Sequence, residues 1–295
     1  MEIRLAADPN ISNRLTLFGW IASFVIIELI WTFVGSAATH LFLEATRNNP
    51  WSSNPWVIYV GQHINFLVLF FTILIFVHHA IGLPLLRYVT NALNFRWELF
   101  WFSLLVWTAG LTIATMVTAV FEPQAIIFHT TDQLWNRLLL MVLALVLTPL
   151  QCITEELLFR ITLWRIMEQR VKRYWIMAVV SGIVFTLAHL TNAEIQGSSN
   201  VLSVLLYYFL SGFLFMEMVR IHQGSEAAFG AHIANNLFLV LVINYSGSSL
   251  VSDPWFLQQD PLVWLDITVL LLCSTIIIRY GNRIGPKKPS VPRYR

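Results

Sequence analysis

From Leu134 to Arg160 the chain reads LWNRLLLMVLALVLTPLQCITEELLFR, an apolar run that ends in two adjacent carboxylates and an arginine. A run this long and this apolar is the signature of a membrane helix. Ionised side chains near the middle of such a helix cost about 3 kcal/mol each. They persist where they pair, line a cavity or do chemistry. At about 100° per residue, Glu156 and Arg160 (i, i+4) share a face, with the glutamate on the N-terminal side, the better orientation for an ion pair. Glu155 is turned about 100° away from that pair. One carboxylate has a partner; the other is free.

The rest of the composition agrees with a membrane setting. Of 295 residues, 57% are hydrophobic and 12% charged, about half the charged share of a soluble domain. The fold class expected is an all-α polytopic membrane protein. The net charge of +2 gives no reason to expect a nucleic-acid partner, because the basic residues follow topology. Cys152 and Cys273 both fall in apolar runs and are expected as buried thiols without a disulfide framework. No repeat of fixed period is visible.

The polar lead Met1 to Arg14 precedes a first run too long for a signal-peptide core, read as a retained span. The spans expected are 15–43, 56–79, 97–121, 134–165, 174–192, 201–221, 227–245 and 262–280, eight transmembrane helices in a single integral membrane domain over 1–295. The fourth is too long for a simple crossing and is expected to tilt, or to kink near Pro149. Charge tests the count independently. With the N-terminus in the cytoplasm, fifteen Lys and Arg fall on inside segments and only Arg47 and Arg137 outside, with Arg160 in the motif. That asymmetry is the positive-inside pattern, and an odd number of spans would destroy it. It predicts an integral protein of a bacterial cytoplasmic membrane, both termini cytoplasmic.

Three further polar points lie in later spans. Phe185 and His189 are one turn apart in FTLAH, and His232 and Asn236 (i, i+4, in AHIANN) project from one helix face. A lone histidine inside a membrane helix is more often a packing residue than a catalyst. With Glu155, however, these give a carboxylate, two imidazoles and an amide on three spans. A carboxylate that shares a water with an imidazole can take and give a proton, and paired N–H donors can hold a developing anion. His189 can share the water with Glu155, and His232 with Asn236 suits an oxyanion site.

The set Glu-Glu-x-x-x-Arg (155, 156, 160), Phe-x-x-x-His (185, 189) and His-x-x-x-Asn (232, 236) resembles the CPBP family, the Abi or CAAX-protease-like intramembrane proteases. All three motifs match in the family's order, and 134–245 would be the catalytic core. The resemblance implies an eight-helix fold with an intramembrane catalytic cavity, Glu155 as the base, and Glu156, Arg160 and Phe185 as supporting residues. Its eukaryotic members cleave the last three residues from prenylated CAAX proteins, and some bacterial ones are linked to bacteriocin maturation or immunity. The expected function is hydrolysis of a peptide bond in a membrane-associated protein or peptide, with the lipid bilayer as the other partner and no cofactor. The alternative is a non-proteolytic scaffold, chaperone or immunity protein on the same fold.

Zinc stays open as a rival use of the same atoms, because Glu155, His189 and His232 form a two-His-one-carboxylate set. Glu28 and Asp266 are expected as interhelix hydrogen-bonding residues, and Glu217 with Arg220 as a local pair. His40, His63, His78, His79, His129 and His222 are expected near span ends, within reach of water. Counted at ~1.5 Å per residue from the basic loops, Glu155 lies ~15 Å deep, His189 ~24 Å and His232 ~9 Å. They converge only if helices tilt or the 165–173 turn projects well into the cytoplasm, and a cavity reaching mid-membrane and opening toward the cytoplasm is expected.

Overall fold

The computed structural model describes residues 14–284 except 169, 199 and 260; the lead before Arg14 and the cationic tail beyond residue 284 lie outside the described residues. Eight helices carry the architecture. They are α1 (Leu17–Thr46), α2 (Pro55–Ile81), α3 (Trp97–Phe121), α4 (Leu134–Met167), α5 (Tyr174–Ala188), α6 (Val201–His222), α7 (Glu226–Leu241) and α8 (Val263–Arg283). Six are long and apolar enough to cross a membrane; α5 and α7, at 15 and 16 residues, are shorter. In hydrocarbon every backbone polar group must be satisfied within the segment, which favours helices. The outward faces suit that solvent: Phe18, Phe121 and Trp135 are each at least 80% exposed.

Packing sets α7 against α3 and α4, α6 against α5 and α8, and α2 against α4. Two crossings depend on missing side chains. A methyl group on Gly230 of α7 would stand 2.3 Å from the Phe100 carbonyl oxygen of α3. One on Gly212 of α6 would stand 2.7 Å from the Gly182 Cα of α5. Small residues at such points let helix backbones approach closely. Pro149 lies inside the unbroken helix Leu134–Glu156, and the irregularity follows the glutamates as a π-helical turn, Leu157–Thr162. There the Thr162 hydroxyl donates to the Leu157 carbonyl at 2.8 Å.

The two ends of the bundle are built differently. At the end carrying the basic connections, Arg165 is 1% exposed and donates to the carbonyls of Arg87 and Tyr88 and to Asn91 Oδ1 at 2.9–3.1 Å. Arg96 grips the fully buried Glu226 through Nε (3.0 Å) and Nη2 (2.6 Å). The Val89–Asn91 segment bonds the α6–α7 turn, Asn91 N to Gln223 O at 2.9 Å and Ser225 N to Val89 O at 3.3 Å. At the other end lies a small sheet in the order β1 (Ile126–Phe128), β3 (Phe256–Gln258), β2 (Ile243–Tyr245), with β1 antiparallel and β2 parallel to β3. Three-residue strands in connections carry too little pattern to be read from sequence, so the all-α expectation omits them.

Candidate active site

Glu155 and Glu156 sit at the end of the regular part of α4, just before the π-helical turn, where the helix is buried on every side. Their partners divide as the helix geometry predicts. Glu156 Oε1 stands 3.1 Å from Arg160 Nη1, with both side chains fully buried. This is an ion contact rather than an aligned hydrogen bond, since Arg160 Nη1 makes none. The guanidinium also lies 3.9 Å over the Phe185 ring and reaches the Ser211 carbonyl at 3.5 Å. Phe185 therefore supplies an aromatic face to a buried cation, and its ring lies 4.2 Å from that of His189.

Glu155 faces a cavity of about 1050 Å³ that also meets His189, His232 and Asn236. Its Oε1 accepts from Gln151 Nε2 at 3.1 Å. Its Oε2 lies 3.8 Å from His189 Nε2 and 3.9 Å from His232 Nε2. These gaps are too long for direct hydrogen bonds and short enough for one water to touch a ring and the carboxylate together. The outer nitrogen of each ring is fixed. His189 Nδ1–H donates to the Phe185 carbonyl at 2.7 Å, which leaves Nε2 as the acceptor of a neutral ring. His232 Nδ1–H donates to Glu156 Oε1 at 2.8 Å, so His232 can donate into the cavity through Nε2 only as an imidazolium.

Asn236 is oriented by neighbours the sequence reading did not single out. Asn235 Oδ1 accepts from Trp107 Nε1 at 3.3 Å and from the Tyr207 hydroxyl at 3.5 Å. That turns Asn235 Nδ2 to donate to Asn236 Oδ1 at 3.1 Å and leaves Asn236 Nδ2 for the cavity. Gln151, one turn before Glu155, was open to notice by its i, i+4 spacing; Trp107, Tyr207 and Tyr208 carry no such local signal. Tyr208 stacks on His189 at 4.7 Å and donates to Glu194. Glu194 in turn accepts from Ser249 N at 2.9 Å and Ser249 Oγ at 2.5 Å, tying two connections together at the cavity wall.

Several expectations need correction. His63 and His222 are buried, at 2% and 1% exposed, although His63 also lines the cavity. His63 Nδ1 bonds the Tyr59 carbonyl at 2.7 Å, and His222 Nδ1 lies 3.1 Å from Asn282 Oδ1. Glu28 and Asp266 line the cavity rather than bridging helices. Among the described residues, none of the basic connections 82–96, 168–173 and 223–225 lines the cavity; its wall reaches Glu194, Ser249 and Pro261 at the opposite end. Arg220 pairs with Glu217 as expected, and both cysteines are free and buried. Zinc would draw on Glu155, His189 and His232. Zinc accepts that donor set, but among the described residues no three His, Cys, Asp or Glu side chains are grouped closely enough to hold a metal ion.

The chain is 24% identical over 245 residues, 80% of its own length and 80% of the other's, to the uncharacterised protein YyaK of Bacillus subtilis (strain 168). No solved structure matches it. Residues 134–238, which hold the paired glutamates, Phe185 with His189, and His232 with Asn236, match the family described as Rce1-like, type II CAAX prenyl endopeptidase Rce1-like, in keeping with the resemblance those motifs carry.

Proposed function

We propose that the chain is an intramembrane peptidase whose eight helices all lie in the bilayer with both termini in the cytoplasm, and that it hydrolyses a peptide bond of a membrane-associated protein or peptide without a metal. The observation that carries this reading is the convergence of two imidazole Nε2 atoms on one oxygen of Glu155, in a cavity of about 1050 Å³. A water between Glu155 Oε2 and His189 Nε2 loses a proton to this pair as its oxygen attacks the scissile carbonyl carbon. The carbonyl oxygen, now anionic, is held by His232 Nε2–H and Asn236 Nδ2–H. Collapse of the tetrahedral species breaks the C–N bond, and the proton held by Glu155 passes to the leaving amine. One water is consumed, and a carboxylate and an amine are released.

The family match supports this reading, because the description of that family names an endopeptidase. The test uses Glu155→Gln as a trap in cells. Membrane proteins retained by the variant and not by wild type are purified and offered to wild-type enzyme in detergent. Cleavage by wild type, absent with Glu155→Gln and unchanged by 1,10-phenanthroline, is the expected result. Retained proteins that wild type never cuts would favour the scaffold alternative, and activity lost to the chelator would return the site to zinc.

A further inference from the structure

The cavity that holds Glu155 is closed at one end of the bundle and walled by loops at the other. Asn192, Glu194, Ser248, Val251 and Pro261 line it from the connections 189–200 and 242–262. Helices α1 and α2 line it only between Glu28 and Leu43 and between Tyr59 and Phe66, the halves next to connection 47–54. Among the described residues, none of the lining comes from connections 82–96, 168–173 or 223–225. Connection 82–96 ties the buried Arg165 of α4 and, through Arg96, the buried Glu226 of α7, so a chain arriving there would have to separate these buried charges from their partners. Breaking such pairs without replacement is strongly unfavourable.

The sealed end is also the basic end. Of the thirteen Lys and Arg among the described residues, ten lie toward that side, Arg47 and Arg137 toward the other, and Arg160 inside. Basic connections mark the cytoplasmic face. We infer that the site is entered from the non-cytoplasmic face, so that its substrate is a polypeptide segment presented there: an exported chain or the outward-facing tail of a membrane-anchored one. A prenylated tail emerging in the cytoplasm would meet the sealed end. The nature of the substrate rests on the peptidase reading above; the side of entry does not.

Sidedness is measured by thiol labelling rather than turnover, so failure of the peptidase reading leaves the result intact. Ser211→Cys reports the deep wall, Ser248→Cys the mouth, and Lys172→Cys the exposed basic connection. Wild type, whose two thiols are buried, is the control. Each variant is treated with the membrane-impermeant cationic thiosulfonate MTSET in right-side-out and in inside-out vesicles. Ser211→Cys and Ser248→Cys should react severalfold faster in right-side-out vesicles, and Lys172→Cys severalfold faster in inside-out ones. If Ser211 perturbs the fold, Ser248→Cys alone carries the comparison. Cavity positions that react from the same side as Lys172→Cys, or from neither side, would overturn the inference.

Discussion

Replacing Glu156 by glutamine should unfold the protein more readily than the same change at Glu155, although the two residues are neighbours. Glu156 and Arg160 are both fully buried, 3.1 Å apart. At an effective dielectric of about 20, a pair at that distance attracts by about 5 kcal/mol. Removing one partner of a buried pair costs about 3–5 kcal/mol, because the other charge is stranded. Glutamine keeps an oxygen for His232 Nδ1–H, so that bond weakens rather than disappears. The net expectation is about 3–5 kcal/mol, a roughly 10²- to 10⁴-fold loss in the folding equilibrium. Glu155→Gln keeps an oxygen for Gln151 Nε2 and strands no guanidinium, so its stability should stay near wild type while turnover is lost. Equilibrium unfolding in detergent micelles, titrated with dodecyl sulfate, measures both. Adding Arg160→Met to Glu156→Gln should recover part of the loss, since no buried cation is then left without its counter-charge. Stabilities for the two single variants within about 1 kcal/mol of each other, or no recovery in the double variant, would refute the division of labour between the carboxylates.

Asn236→Ala should lower kcat on the order of 10²-fold with little change in KM, the size of one oxyanion contact; single-turnover cleavage of a trapped substrate reads it. Gly230→Val should reduce folded yield in size-exclusion chromatography, because the new side chain would meet the Phe100 backbone, which cannot move away as a flexible side chain could. Burial pushes Glu194 up, but hydrogen bonds from Ser249, Tyr208 and Asn192 outweigh it and hold the carboxylate below its ordinary range. A depressed carboxylate stabilises the fold above its unfolded pKa of about 4.3, and that contribution is lost as pH falls through the folded value. Amide protection factors in 242–252 should therefore fall in acid, and Glu194→Gln should flatten the dependence.

The helices were legible in the sequence because their signal is local. A lipid-facing helix needs an apolar run of set length, and six of the expected spans coincide to within a few residues with helices long and apolar enough to cross a membrane; 174–192 and 227–245, short and carrying polar residues, fall on the shorter α5 and α7. The pairing of Glu156 with Arg160 was legible for the same reason, as an i, i+4 relation within one helix. Asn235, Trp107 and Tyr207, which aim Asn236, were not, because their partnership joins α3, α6 and α7 across more than a hundred residues of sequence. His63 was misjudged because nothing in α2 says that its neighbour is the buried stretch of α4.

The depths of the site residues show how a local reading fails. Measured from the basic connections as if these lay at the membrane surface, Glu155, His189 and His232 fall at unlike levels. Yet both imidazoles stand within 4 Å of the same carboxylate oxygen. The error lies in the origin of the count. Gly224 and Ser225, which precede α7, are buried beneath the Val89–Asn91 segment, and Glu226 is fully buried against Arg96. His232 is therefore deeper than its distance along α7 from that turn suggests. The same segment covers the basic end of the bundle, from which, among the described residues, no connection lines the cavity. Where loops fold back over helix ends, distance along the helix measures distance from the turn and not from water.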